Sequence, residues 1–245
     1  MNVKDGASCL AVSKSGRYIA AGSFGGEVVV WNMTDYERVF AGKNGVWDKT
    51  WDVDFSPDSS RLVSADSDNY TATIWHIAAR QKVRRLNHAG CFAAKYSPQG
   101  DRIATATEIS VRVWASDDGC LLVDIKQLRL WHGLLWFKSH LFVTTKDSRI
   151  KQIDSSSGST VSDWSVSSTH PCIALPQHAK FIAHSAEDSI VLWDTSTHSY
   201  LGFVPHSSGE CSIAFSADNR LAIVTQEKNI VIRAIPLVRV RPHMN

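Results

Sequence analysis

The run Tyr96-Ser97-Pro98-Gln99-Gly100, then Arg102-Ile103-Ala104-Thr105-Ala106, then Ser110-Val111-Arg112-Val113-Trp114 reads as a strand end, a tight turn and two further strands. Proline presets φ for the first central position of a type I turn, and glycine suits its close. The flanking apolar residues alternate with period two, which fits half-buried β-strands and not helices. The same grammar recurs on both sides. Phe55-Ser56-Pro57-Asp58-Ser59 precedes Arg61-Leu62-Val63-Ser64-Ala65, and Val12-Ser13-Lys14-Ser15-Gly16 precedes Tyr18-Ile19-Ala20-Ala21. Near the carboxyl end, Phe215-Ser216-Ala217-Asp218-Asn219 precedes Leu221-Ala222-Ile223-Val224.

Strand-like runs close on Trp31, Trp75, Trp114 and Trp193, and degenerate copies close on Ile153 and Arg233. Their successive separations are 44, 39, 39, 40 and 40 residues. A repeat of about 40 residues has room for four short strands and their turns. A fourth strand follows the tryptophan run at Lys82–Leu86, Leu121–Ile125 and Tyr200–Val204. The expectation is a single all-β domain over residues 1–245. Its six four-stranded units fall near 7–42, 43–86, 87–126, 127–166, 167–205 and 206–242.

The pattern Phe-Ser-Pro-Asp, small residues, then a strand ending in Trp-Asp resembles the WD-repeat β-propellers. Only Trp193-Asp194 keeps the full dipeptide; Trp31-Asn32, Trp75-His76 and Trp114-Ala115 depart from it. The stretches 96–106 and 193–198 are similar, more narrowly, to the WD repeats that follow NACHT domains in basidiomycete fungi. The first resemblance implies a six-bladed propeller, with an incomplete seven-bladed ring as the alternative. The second implies a sensor-type array within a larger multidomain parent. A propeller must hide its terminal sheet edges. Few residues precede the first inner strand, so Leu237-Val238-Arg239-Val240-Arg241, between Pro236 and Pro242, is the expected outer strand of the last blade.

The resemblance also implies a stabilising network of His, Asp, Ser or Thr, and Trp, which pairs each buried indole N–H. Its candidate fragments are His88 with Thr105 and Trp114, Ser64 with Trp75 and Asp66, and Asp188 with Trp193; Trp31 holds the same structural position in the first unit. For partner contact, the stretch Gly45-Val46-Trp47-Asp48-Lys49-Thr50-Trp51-Asp52 stands out, with Trp47, Asp48, Lys49 and Trp51 as the contact candidates, because it leads into the second inner strand and reaches a rim of the channel. Exposed tryptophan beside charged residues is the composition of an interaction hot spot. Trp131-His132 is a second rim candidate. Packing between blades is the competing role for each of these aromatics.

With 44% hydrophobic and 20% charged residues, the chain can bury a core. A net charge of +2, from 26 Lys and Arg against 24 Asp and Glu, gives no broad field for nucleic acid. No apolar run spans a bilayer, and residues 1–6 carry no secretory apolar core. Five scattered cysteines without a Cys-x-x-Cys pair point to a reducing, cytoplasmic setting, with the nucleus as the alternative. Cys9, Cys91, Cys172 and Cys211 fall on or just before inner strands, where small buried side chains are expected, and no metal is assigned to them. Phosphate-loop, nucleophile-elbow and zinc-helix motifs are absent from the sequence. The expected function is therefore a non-catalytic scaffold without cofactor that binds a protein or peptide partner. A chromatin or RNA adaptor is the alternative, ahead of a propeller enzyme.

Overall fold

The computed structural model describes residues 2–43, 49–66, 71–166, 168, 172–176, 180–205, 212–215, 220–224 and 230–234. These form 23 strands in six antiparallel meander sheets. The first comprises β1 (Ala7–Val12), β2 (Tyr18–Ser23), β3 (Glu27–Asn32) and β4 (Arg38–Lys43). The second is β5 (Thr50–Phe55), β6 (Arg61–Asp66), β7 (Thr71–His76) and β8 (Gln81–Asn87). The third is β9 (Ala93–Tyr96), β10 (Arg102–Ala106), β11 (Val111–Ala115) and β12 (Leu121–Ile125). The fourth is β13 (Leu130–Phe137), β14 (His140–Thr145), β15 (Arg149–Asp154) and β16 (Thr160–Ser165). The fifth is β17 (Ile173–Ala174), β18 (Phe181–Ser185), β19 (Ser189–Asp194) and β20 (Tyr200–Pro205). The sixth shows β21 (Ser212–Phe215), β22 (Arg220–Val224) and β23 (Ile230–Ala234) among the described residues. The fold is a six-bladed β-propeller. The expected outer strand at Leu237–Arg241 lies outside the described residues.

The turn between the first two strands of a blade shows why serine recurs there. Ser13, Ser56 and Ser97 each accept, through Oγ, the backbone N–H five residues on, at 2.9, 2.9 and 3.1 Å. The turn then closes on a residue of positive φ: Gly16 at 69°, Ser59 at 61° and Gly100 at 83°. Glycine adopts that region without steric cost, which accounts for two of the three choices.

The tryptophans have an equally local cause. In five blades the register slips between the third strand and the fourth, at Val30/Trp31, Ile74/Trp75, Val113/Trp114, Gln152/Ile153 and Leu192/Trp193. A bulge re-aims the residue that follows it. Trp75 is thereby swung into the first blade boundary, where its ring meets Phe40 at 5.4 Å between centroids. The core is built from such boundaries. Val53 and Phe55 of the second blade pack on Ala20, Val28 and Val30 of the first. Gly42 sits against the same indole, where an added Cβ would lie 2.4 Å from Trp75 Cζ3.

Two network fragments form as hydrogen bonds. Trp75 Nε1 donates to Ser64 Oγ at 2.9 Å, and Ser64 Oγ donates to Asp66 at 3.3 Å. Thr50 Oγ1 also reaches Asp66, at 3.2 Å. In the third blade Trp114 Nε1 donates to Thr105 Oγ1 at 2.8 Å, and the same oxygen pairs with His88 Nδ1 at 2.7 Å. His88 Nε2 continues to Ser110 Oγ at 2.8 Å, a member that the sequence reading did not single out. The fifth blade departs from expectation. Asp188 is exposed on the turn between β18 and β19, and the buried Trp193 Nε1 has no hydrogen-bond partner. The serine or threonine slot, two residues past the residue paired with tryptophan, is filled there by His184, whose ring stacks on Trp193 at 6.5 Å.

Candidate functional site

Inner strands β5, β9, β13, β17 and β21 pack in succession around the channel axis. A cavity of about 340 Å3 opens where these strands begin. Its walls include Trp51, Phe92, Trp131 and Ile213, and its floor includes Asp52 and Lys95. A second cavity, of about 600 Å3, opens where the inner strands end, between Lys14, Pro57, Pro98 and Lys138. Lys95 and Leu135 line both and so stand between them.

Bulges place the two tryptophans. On β5, Thr50 pairs with Asp66 and Asp52 with Ala65, so Trp51 is an extra residue without a cross-strand place. On β13, Leu130 pairs with Thr145 and Leu134 with Val143, leaving Trp131, His132 and Gly133 opposite Thr144. Gly133 fits because a Cβ there would lie 2.5 Å from Thr144 Oγ1, the oxygen that accepts the Gly133 N–H at 3.0 Å. Lys49 Nζ lies 3.3 Å from the centroid of the Trp51 ring and 5.0 Å from that of Phe24, a cation–π arrangement. The side chain of His132 and the whole of Trp47 and Asp48 lie outside the described residues. Both competing roles meet in Trp51, which packs against the core of the third and fourth blades and also lines the cavity.

The floor is electrostatic. Asp52 accepts the Ala94 N–H at 3.1 Å and pairs with Lys95 Nζ at 2.7 Å; Asp54 accepts the Tyr96 N–H at 2.8 Å. Two carboxylates on β5 thus serve N–H groups on β9. Burial pushes the Asp54 carboxyl up to about 6, against the opposing pull of Lys95. Lys95 is held above its ordinary value, because Asp52 and Asp54 outweigh the burial that would lower it.

No group of three or more His, Cys, Asp or Glu with metal-binding geometry occurs among the described residues. Burial pushes the Cys9 thiol up to about 11 and Cys91 higher still, so neither is a ready thiolate ligand. Cys91 is fully buried and donates to the Ala93 carbonyl at 3.3 Å; Cys172 lines the 340 Å3 cavity. Cys211 lies outside the described residues.

The WD domain, G-beta repeat family matches residues 4–32 and 36–76, which span the first two blades. Those two stretches match WD repeats. Among curated proteins, the cilia- and flagella-associated protein 52 of Chlamydomonas reinhardtii is 27% identical over 126 residues, covering 47% of this chain. The match spans only 20% of that protein's length. Among solved structures, a chain of a mitotic checkpoint complex superposes with a TM-score of 0.81 at 13% identity, over 91% of this chain and 72% of that one. At that identity the likeness is one of fold. Propellers built from WD repeats are generally protein-binding scaffolds without enzymatic activity.

Proposed function

We propose that this chain is a non-catalytic protein-interaction module whose partner enters the channel mouth lined by Trp51 and Trp131. One observation carries the reading. Two tryptophans from different blades, each displaced by its own bulge, converge with Phe92 on one cavity over a paired Asp52 and Lys95. Aromatic walls around an oriented charge pair provide both apolar area and a fixed polar contact, the composition of an interface core. A protein or peptide segment is the fitting occupant. The balanced net charge of +2 favours it over a nucleic acid. The sensor array of a fungal NACHT-type signalling protein is the finer form of this proposal, supported by the stretches 96–106 and 193–198. A cytoplasmic setting belongs to the same proposal, supported by five scattered cysteines without a Cys-x-x-Cys pair in the sequence.

The test is quantitative affinity capture from a source-matched lysate with wild type, Trp51→Ala, Trp131→Ala and the exposed control Asp188→Ala. Matched thermal unfolding establishes that each variant folds. A hot-spot residue contributes at least about 2 kcal/mol, or roughly a 30-fold loss of affinity. A partner retained by Asp188→Ala and lost from both tryptophan variants is the expected result. Equal retention by folded Trp51→Ala and Trp131→Ala would remove the mouth as the contact surface.

A further inference from the structure

The fourth strands form the outer edges of the blades, and their charges differ sharply. β12, β16 and β20 contain no lysine or arginine. In the second blade, Arg80-Gln81-Lys82-Val83-Arg84-Arg85 runs from the preceding turn through most of β8. All of its cations are exposed. Basic residues protect an edge from pairing with another strand, but three other edges of this chain manage without any.

The cations lack counter-ions because one row of the sheet is inverted. Two residues before Trp114, Arg112 pairs across the strands with Asp124; two residues before Ile153, Lys151 pairs with Asp163. Both pairs are salt bridges, at 3.3 and 3.1 Å. The same row of the second blade sets Thr73 against Arg85. An arginine thus stands where the next two blades place an acid. Among the described residues, Arg80, Lys82, Arg84 and Arg85 form no salt bridge. Burial first, and then Arg85, hold the Lys82 ammonium below its ordinary value against a smaller pull from Asp66. Arg84 acts on one exposed acid, Asp118.

Apolar side chains share this edge. The register slip leaves Val83 without a cross-strand place between Lys82 and Arg84, and it is 41% exposed. The slip on β12 turns out Leu122 in the same way, 48% exposed beside Leu121 at 46%. The two edges are neighbours, since a Cβ at Gly119, two residues before Leu121, would collide with Arg84 Cδ. By register, Lys82 and Arg85 project from one face of β8 and Arg84 from the other. Cations on both faces of an edge do not converge on one small anion; they address a broad surface.

We infer that the outer edge formed by β8 and the start of β12 docks on an anionic lipid membrane. Arg80, Lys82, Arg84 and Arg85 meet the headgroups, and Val83, Leu121 and Leu122 meet the acyl boundary. Charge complementarity selects an anionic occupant. The exposed apolar residues then favour a leaflet, because a nucleic-acid backbone offers them phosphate alone. This surface lies on the perimeter and does not depend on the channel mouth.

The test is vesicle flotation with phosphatidylcholine alone and with added phosphatidylserine, at ionic strengths of about 0.1 M and about 1 M, where the Debye length shrinks roughly threefold. Wild type is compared with Arg84→Gln combined with Arg85→Gln, and with Leu121→Ser combined with Leu122→Ser. A matched loss of two exposed cations elsewhere, Lys14→Gln with Lys138→Gln at the 600 Å3 cavity, is the control. Circular dichroism verifies each fold. A basic residue at an anionic leaflet is worth about fivefold in affinity, so the arginine variant should bind roughly 30-fold more weakly. The expected result is binding of wild type and control to phosphatidylserine vesicles only, lost at high salt, and weakened by the leucine variant as well. Absence of wild-type binding, or equal binding by the arginine variant, would overturn the inference. So would binding that the leucine variant leaves intact, together with tighter arginine-dependent binding to single-stranded RNA, which would assign the edge to a phosphate polymer.

Discussion

Thr105 gives the sharpest test of how a blade is held. Its side chain is fully buried, and its single hydroxyl serves two rings, taking the Trp114 N–H at 2.8 Å and pairing with His88 Nδ1 at 2.7 Å. Thr105→Val keeps the shape and removes the oxygen, so no cavity term enters. Both nitrogens then lose their shared partner inside the protein. A buried polar group left unsatisfied costs about 1–3 kcal/mol, which puts the substitution at about 2–6 kcal/mol. His88 retains Ser110 through its other nitrogen, which favours the lower half of that range. Thr105→Ser is the matched control: it keeps the oxygen, loses one methyl and costs about 1 kcal/mol. The assay is urea unfolding at pH 7.5 followed by tryptophan fluorescence, with the midpoint and slope compared across the three proteins. The reasoning fails if Thr105→Val costs under 1 kcal/mol, or if Thr105→Ser is as damaging as Thr105→Val.

Two pH dependences of opposite sign follow from the same kind of accounting. Burial, aided by Arg112, pushes His88 from 6.5 down to about 4. The unfolded chain therefore takes up this proton first, and the His88 contribution to stability, complete above pH 6.5, falls by about 3 kcal/mol toward pH 4. The stability gap between wild type and His88→Asn should shrink by that amount over the window; a gap that stays constant would refute the assignment. For Asp54 the folded value is raised from 3.8 to about 6, so the native state holds its proton longer than the unfolded chain. Its contribution is most favourable below pH 3.8 and declines by about 3 kcal/mol as pH rises through 6. Asp54→Asn, which preserves an oxygen for the Tyr96 N–H, should gain on wild type between pH 4 and pH 7 in matched thermal unfolding. Parallel curves for the two proteins would count against a strained carboxylate at the floor.

The architecture was legible because it is written locally and repeated. Turn chemistry at Ser56-Pro57-Asp58, period-two alternation, and tryptophan near the end of four of the third strands depend on residues within one blade. Six near-copies of such a message reinforce one another. The Ser64–Trp75 and Thr105–Trp114 pairs belong to the same class, since the spacing along two adjacent strands fixes which side chains meet. The pairing of Asp188 with Trp193 fails for a reason equally present in the sequence: His184 stands in the slot that needs a hydroxyl.

The candidate site was legible only in part. Sequence composition marked Trp51 and Trp131 as rim residues, but nothing in their spacing said that they share a cavity, because the two bulges that bring them together shift register by different amounts. Asp52 ended the stretch that stood out by composition, but neither its carboxylate nor that of Asp54 was given a role. Their role arises from a neighbouring inner strand whose N–H groups need acceptors, and that strand lies 42 residues away along the chain.

The sequence by itself determined the repeat, the strand order within each blade, and the residues that close its turns, since all of these rest on contacts within about 40 residues. Only the tertiary structure decided which faces of those blades are covered. Leu10 and Val53 are both large apolar residues at matched positions of inner strands, yet one is 64% exposed and the other 1%. That difference is set by what packs against each strand, and burial against a neighbour is a property of the assembled fold that no single repeat encodes.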